Sequence, residues 1–307
     1  MTVLALLGFG LIMVFSASTV VSAEVYGSQT SIFTRQFIFV VIGLVALMVS
    51  MKIDYHIYEQ GRVIYALILL SLALLLYLLV APESGGVQRW IRIGPVNFQP
   101  SELAKLAVIL FTSFYLVTRK EDFHSFKRGL LPYLVVVGAI VLLVLLEPDL
   151  GTAASIALTA IVLLFLGGLR YRYLLGLFLA AIPALYFLVV RVPYRLDRWL
   201  AFLYPERDPY GSGYQIRQSL ISVGSGGWSG LGYAEGKQKL SFLPEPHTDF
   251  IFAVVGEELG FLGTMAAILG FGFILLRLVR MAEQSPDPFA GLVLLGILGA
   301  WIVHIFV

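Results

Sequence analysis

Residues 130–168 read LLPYLVVVGAIVLLVLL-EPDL-GTAASIALTAIVLLFLGG, two apolar runs parted only by Glu147-Pro148-Asp149-Leu150. A hydrocarbon core about 30 Å thick takes roughly 20 helical residues to cross, and each run comes close to that length. So short a link leaves two arrangements, a helical hairpin or two half-buried helices lining a polar cavity. Outward from this pair, apolar runs recur at 1–21, 32–50, 62–80, 101–118, 171–192, 250–276 and 288–307. The pattern predicts an all-α, polytopic transmembrane protein with nine spans in this chain. It is read as a single transmembrane domain over 1–307, with one large loop at 193–248.

Composition agrees. The chain is 59% hydrophobic and only 13% charged, with a mean hydropathy of +0.90. Soluble domains carry about 25% charged residues, so a soluble protein of this size would lack the polar surface to cover its core. The net charge of +2 is small, and no Arg/Lys cluster interleaved with aromatics appears, so no nucleic-acid partner is expected. The absence of cysteine excludes disulfides, thiolate metal sites and a cysteine nucleophile. The first run starts at Met1 without a charged lead or a small-residue cleavage site, unlike a signal peptide. Native residues are expected ahead of it.

Charge sets the orientation. With the beginning of the chain in the cytoplasm, the inner ends carry Lys52, Arg62, Arg119, Lys120, Lys127, Arg128, Arg170, Arg172, Arg277 and Arg280. The short outer loops then carry only Arg35, Arg89 and Arg92, a positive-inside distribution. The 193–248 stretch becomes extracytoplasmic. It holds Arg195, Asp197, Arg198, Arg207, Gln215, Arg217, Gln218, Lys237, Glu245 and His247, with a short surface helix expected at 214–222. Loops of that length are uncommon in compact proteins and often functional.

Polar residues concentrate in three places. Glu102 and Lys105 share one face of the fourth span just after Pro100-Ser101, with Arg89, Trp90 and Arg92 shortly before it. A capped helix with an outward-reaching lysine explains the first pair; a hydrated groove explains it equally, because ionisable groups inside spans mark function. Trp90 suits a membrane boundary, and the two arginines suit lipid phosphates. At the second place, Asp149 can cap the sixth span, or join Glu147 in holding a divalent cation through oxygen. The third is Glu245-Pro246-His247-Thr248-Asp249, where the large loop returns to the eighth span, with Glu257 and Glu258 about two turns later. Thr248 or Asp249 can cap that helix. The carboxylate also stands where a water-exposed sugar and a lipid-borne leaving group can both be reached.

These stretches resemble the SEDS family of peptidoglycan glycosyltransferases. The resemblance rests on Gln88-Arg89-Trp90-Ile91, Gly94 and Gln99-Pro100-Ser101-Glu102-Leu103-Ala104-Lys105. It continues through Glu147-Pro148-Asp149-Leu150-Gly151-Thr152-Ala153, Gly213-Tyr214-Gln215, Gln218-Ser219 and Gly224-Ser225-Gly226-Gly227. Leu243-Pro244-Glu245-Pro246-His247-Thr248-Asp249-Phe250-Ile251-Phe252-Ala253 and Gly256-Glu257-Glu258-Leu259-Gly260 complete it. The Gly224–Gly227 and Gly232–Gln238 segments look like the elongation, RodA-like branch. Glu147 stands where relatives often carry Gln.

The resemblance implies ten spans, so a tenth is expected after Val307. It implies a multi-pass protein of the bacterial cytoplasmic membrane with its active site facing outward. The implied substrate is lipid II, a disaccharide-peptide on a polyprenyl diphosphate. The implied partners are a class B penicillin-binding protein transpeptidase and membrane proteins of the elongation complex. A sugar hydroxyl must lose a proton and a diphosphate must leave. Asp249 matches the family's essential aspartate and is expected to be the catalytic base. Lys105 leads the cationic candidates, with Glu102, Arg89, Trp90, Arg92, Asp149, Arg198, Gln215, Arg217, Gln218, His247, Glu245 and Glu258 as substrate or groove residues. No cofactor is required, although a divalent cation would serve the same charge. A flippase for the lipid-linked precursor, or a non-catalytic scaffold for the penicillin-binding protein, would carry similar spans.

Overall fold

The computed structural model describes residues 1–80, 89–93, 96–121, 125–206, 208, 211, 213–240 and 242–306. Gln88, Gly94 and Arg207 lie outside the described residues, as does the side chain of Arg92. The helices are α1 (Thr2–Tyr26), α2 (Ser31–Ser50), α3 (His56–Glu59), α4 (Gly61–Val80), α5 (Pro100–Thr118) and α6 (Leu131–Leu146). They continue as α7 (Leu150–Leu166), α8 (Tyr171–Leu185), α9 (Pro193–Leu203), α10 (Tyr214–Ser225), α11 (Ile251–Gln284) and α12 (Pro288–Phe306). A π-helical turn at Phe126–Leu130 leads into α6 and another at Tyr186–Val190 follows α8. Among the described residues, 8 helical segments are long and apolar enough to cross a membrane, and Leu150–Leu166 is apolar but shorter. The protein is all-α and polytopic. Helix α10 covers the short helix expected at 214–222 and runs three residues further.

One small element departs from the helical expectation. Ile91–Ile93 (β1) and Val96–Phe98 (β2) pair antiparallel, with Ile91 opposite Phe98. Apolar residues alternate along both segments, the period-2 pattern of strands.

The chain forms two compact units, Met1–Lys52 with Leu185–Leu275, and Ile53–Ala184 with Leu276–Val307. In the second, α5 packs against α4, α6, α7 and α12. Ala107 to Ser113 are all buried, with Ala104, Tyr115 and Leu116 beside them, so the middle of α5 is covered on every side. Pro100 opens the helix after an extended Gln99, where its missing N–H leaves no donor unpaired. Among its buried hydroxyls, Thr112 Oγ1 donates to the Val108 carbonyl at 2.6 Å and Tyr115 OH to that of Gly129 at 2.8 Å, whereas Ser101 Oγ has no partner among the described residues.

The turn between α6 and α7 is a hairpin braced from outside. Arg89 donates through Nε to the Glu147 carbonyl at 3.3 Å and through Nη2 to the Pro148 carbonyl at 2.7 Å. Asp149 caps α7, accepting from the Thr152 amide at 3.0 Å. The Glu147 side chain is only 3% exposed and neither carboxyl oxygen has a hydrogen-bond partner among the described residues. Burial, and next the charge of Asp149, push its pKa up to about 7 against the opposing pull of Arg89.

The first unit contains α1, α2, α9, α10 and the first part of α11. Helix α11 breaks at Gly260, whose φ of 65° and ψ of −159° are not helical. In an unbroken helix the Phe261 and Leu262 amides would donate to the Glu257 and Glu258 carbonyls. Here they donate instead to the carbonyls of Gly227 (2.9 Å) and Trp228 (3.1 Å). The vacated Glu257 and Glu258 carbonyls accept from the Leu231 (2.9 Å) and Gly232 (3.0 Å) amides. Segment 227–232 is thus threaded into the helix, and these two amides and two carbonyls all find partners. A Cβ at Gly260 would collide with the Trp228 and Gly230 backbone, and one at Gly230 with the Glu258 carbonyl.

Two buried carboxylates hold the continuation of that segment. Glu257 Oε1 accepts from the Lys237 amide at 2.7 Å and the Gln238 amide at 3.2 Å. Glu258 is fully buried, with Lys239 Nζ at 2.5 Å, Ser16 Oγ at 2.7 Å and the Ala234 amide at 3.0 Å. Lys239 itself is 5% exposed and also donates to Ser16 at 2.7 Å. Met13 and Ala17 of α1 pack with Leu243, Ala253, Val254 and Val255 beside this network.

Two measurements test these assignments. Removing one partner of a buried ion pair typically costs ~3–5 kcal/mol, whereas removing both charges costs far less. Lys239→Met should therefore lower the melting temperature of the purified protein sharply, and Lys239→Met/Glu258→Gln should recover much of that loss. Additive losses would show that the pair is uncoupled. Glu147, with a folded pKa above the ordinary 4.5, keeps a proton that the unfolded chain has released between those two values. Stability should then fall as pH rises from about 4.5 to about 7. Melting at pH 5 and pH 7.5 should show a larger fall in wild type than in Glu147→Gln. An identical pH dependence in both would mean that Glu147 does not titrate in this window.

Candidate functional site

In the second unit, the beginnings of α5 and α7 and the end of α12 border a half-open cavity of about 260 Å³. Its walls carry Gln99, Glu102 and Lys105 from the α5 side, Asp149, Thr152 and Ser155 from the α7 side, and His304 from α12. Lys105 Nζ lies 2.8 Å from Glu102 Oε1, and the lysine is far less exposed than its partner, 12% against 54%. The i,i+3 spacing read from the sequence brings this pair together as expected. Asp149 is committed to architecture: Oδ1 takes the Thr152 amide, and Oδ2 takes Thr152 Oγ1 at 2.9 Å and Gln99 Nε2 at 3.2 Å. Arg89 braces the adjoining turn, and Trp90 is exposed.

In the first unit the return loop is built around prolines. Leu243 is buried, and its amide donates to the Gln238 carbonyl at 2.8 Å. Glu245, between Pro244 and Pro246, has a φ of 46°, a region non-glycine residues rarely occupy. His247 Nε2 lies 3.8 Å from Glu245 Oε2, and its buried Nδ1 has no partner among the described residues. Helix α11 then begins on backbone alone, with the Phe250 carbonyl accepting from the Ala253 and Val254 amides. Asp249 is exposed and makes no side-chain hydrogen bond or ion pair among the described residues. Thr248 Oγ1 points back to the Glu245 carbonyl at 3.4 Å. Neither residue caps α11 by its side chain, so the simplest structural use of Asp249 is absent.

Arg198 on α9 and Gln215 and Arg217 on α10 are exposed, and Gln218 is half-buried. None of these four makes a side-chain hydrogen bond or ion pair among the described residues. Glu258 is placed differently: its carboxylate is buried and its acceptors are taken by Lys239, Ser16 and Ala234. Among the described residues no three His, Asp or Glu side chains are gathered in a way that could hold a metal ion. Lys239, Ser16, Ser155 and His304 were not singled out from the sequence. His304 carried a signal, being an ionisable side chain in the apolar run of α12. The others look ordinary in their local sequence.

An acidic group left free at a helix mouth can take a proton. The chain is similar to known proteins along its whole length. Residues 1–307 match the family model of FtsW/RodA/SpoVE cell cycle proteins. A "Probable peptidoglycan glycosyltransferase FtsW" of Trichlorobacter lovleyi is 42% identical, covering 96% of this chain and 78% of its own length. Stage V sporulation protein E of Bacillus subtilis is 38% identical over 99% of this chain and 83% of its own. A solved structure described as a peptidoglycan synthase complex coordinating polymerization and crosslinking superposes with a TM-score of 0.78 at 29% identity, covering 100% of this chain and 83% of that one. Rod shape determining protein RodA of Thermus thermophilus gives 0.67 at 26% identity, covering 99% and 81%. The chain belongs to the FtsW/RodA/SpoVE family, the SEDS proteins that its motifs resemble.

Proposed function

We propose that this protein polymerises glycan strands from lipid II at the outer face of the bacterial cytoplasmic membrane, with Asp249 as the base. It is a SEDS-family peptidoglycan glycosyltransferase acting in cell-wall synthesis. The observation that carries the catalytic assignment is the uncommitted, exposed carboxylate of Asp249 at the head of α11. In the proposed step, a sugar hydroxyl of one chain attacks the anomeric carbon of the other, and Asp249 takes the hydroxyl proton. The bond from that carbon to the diphosphate oxygen breaks, and the lipid diphosphate leaves with the electron pair. Positive charge from Lys105 stabilises it, and a divalent cation would add to that charge. His247, Glu245, Arg198, Gln215, Arg217 and Gln218 are proposed to border the sugars on the loop side, and Arg92 to join Lys105 at the phosphates.

The outward orientation is supported by the positive-inside charge distribution, which puts the starts of α5 and α7 and the end of α12 on the outer side. Nine spans fit that parity. A class B penicillin-binding protein is the proposed partner, by analogy with the synthase complex that this chain resembles. For the branch, the Gly232–Gln238 segment favours elongation, whereas the 42% identity to an FtsW-named relative favours division. Complementation of elongation- and division-defective strains separates the two roles.

The test is polymerisation of labelled lipid II by purified protein with its transpeptidase partner. Asp249→Asn should slow strand formation by about 10²-fold or more while the melting temperature stays near wild type, because no cap is lost. Long strands made at the wild-type rate would leave the reaction without this base. Lys105→Ala should also impair polymerisation without preventing membrane insertion, and full activity would remove Lys105 from the mechanism. A flippase would instead move labelled lipid II across vesicles irrespective of Asp249.

A further inference from the structure

Asp249 makes no side-chain hydrogen bond or ion pair among the described residues, so its place is set by the backbone on either side. On one side that backbone becomes helical at Ile251. On the other it runs back through Glu245, held at a φ of 46° between two prolines, to Leu243. Leu243 is 2% exposed and packs with Ala253, Val254 and Val255. Its amide donates to the Gln238 carbonyl at 2.8 Å. The return loop is tied at Gln238, and whatever holds Gln238 sets the approach to Asp249.

Glu257 holds it. Oε1 accepts from the Lys237 amide at 2.7 Å and the Gln238 amide at 3.2 Å, and Oε2 accepts from Ser222 Oγ of α10 at 3.2 Å. All three donors are neutral. The neighbouring Glu258 meets the Lys239 ammonium, whereas Glu257 has no cationic partner among the described residues. At 1% exposure the Glu257 carboxylate is sealed from solvent and out of reach of a substrate. Its use is geometric: one oxygen with two lone pairs gathers two successive amides of the loop. The fit is close from the loop side as well, since a Cβ at Gly236 would stand 3.0 Å from Glu257 Oε2.

We propose that Glu257 is a positioning residue for Asp249: by gathering the Lys237 and Gln238 amides it fixes the return loop, through Gln238 and Leu243, in the register that presents the Asp249 carboxylate. This rests on the reading of Asp249 as the base. The role belongs to an acceptor oxygen and not to negative charge, because both amides converge on Oε1. Glutamine at 257 preserves it, with the side-chain carbonyl taking the two amides and the NH2 facing Ser222 Oγ, which can accept. Methionine fills a similar volume and offers the amides no oxygen. A catalytic group displaced by about 1 Å loses on the order of 10²-fold in rate.

The chain has no cysteine, so Asp249→Cys gives a single attachment point for a nitroxide label, whose motion is read by electron paramagnetic resonance in the full chain in detergent. The label should be restricted with Glu257 or Glu257→Gln in place and markedly more mobile with Glu257→Met. With Asp249 intact, polymerisation of labelled lipid II in the presence of the transpeptidase partner should show kcat lowered about 10²-fold in Glu257→Met at a KM near wild type, and Glu257→Gln within about threefold of wild type. Ile140→Ala, a buried change in the other unit, is the destabilised control and should keep its kcat despite a lower melting temperature. Unchanged label motion in folded Glu257→Met would overturn the proposal. So would Glu257→Gln as slow as Glu257→Met, a loss confined to KM, or an equal loss of kcat in Ile140→Ala. If Glu257→Met does not fold, Gly236→Ala replaces it, its Cβ pressing on Oε2; wild-type motion and wild-type kcat there would overturn the proposal equally. The label reports the order of position 249 whether or not an aspartate there is the base. A wild-type rate in Asp249→Asn would therefore remove the base while leaving the label to decide on Glu257.

Discussion

A backbone group released inside a membrane protein must find a partner within the protein, because hydrocarbon offers none. The break at Gly260 in α11 obeys that constraint by exchange. Two amides and two carbonyls leave the helical ladder, and segment 227–232 supplies their replacements. Only glycine at 230 and 260 lets the two backbones approach so closely. Once the segment is seated, Glu257 and Glu258 bind its continuation through amide groups and Lys239. The order of the return loop, and with it the place where α11 begins and Asp249 emerges, depends on this exchange.

The distribution of satisfied and unsatisfied groups separates architecture from chemistry. Arg89, Asp149, Lys239, Glu257 and Glu258 have charged ends absorbed by carbonyls, amides or each other. Their charges stabilise turns and threaded backbone. Asp249 has a polar end that the described protein does not use. Lys105 stands between the classes, paired with Glu102 yet facing a cavity. An exposed carboxylate such as Asp249 is tolerated in water without a protein partner, which leaves it free to meet a substrate.

Much of the helical frame was legible because apolar run length answers directly to bilayer thickness. The α6–α7 hairpin, the Asp149 cap and the Glu102–Lys105 pair were equally accessible, since each involves residues three or four apart. Helix α10 followed from its local pattern. The break at Gly260 was not legible, because a glycine in an apolar run also suits an ordinary helix and its substitute partners come from a separate segment. Lys239 is indistinguishable from Lys237 in the sequence for the same reason: its partners are Ser16 and Glu258, one of them in α1. Asp249 and Thr248 had cap-like identities but no cap bonds. The cavity required α5, α7 and α12 to meet, and hydropathy says nothing about which helices become neighbours.

Ser16 and Glu258 are separated by 242 positions in the chain. A ribosome adding roughly 5–20 residues per second delivers Glu258 many seconds after Ser16 has entered the bilayer. Through that interval Ser16 has neither Glu258 nor Lys239 to meet. Segment 227–232, by contrast, waits only for the next helix. Assembly of this region is therefore sequential by necessity: the loop and the start of α11 can join soon after synthesis, whereas their attachment to α1 must come late. Any factor that shelters newly inserted helices would have its longest task at the very first one.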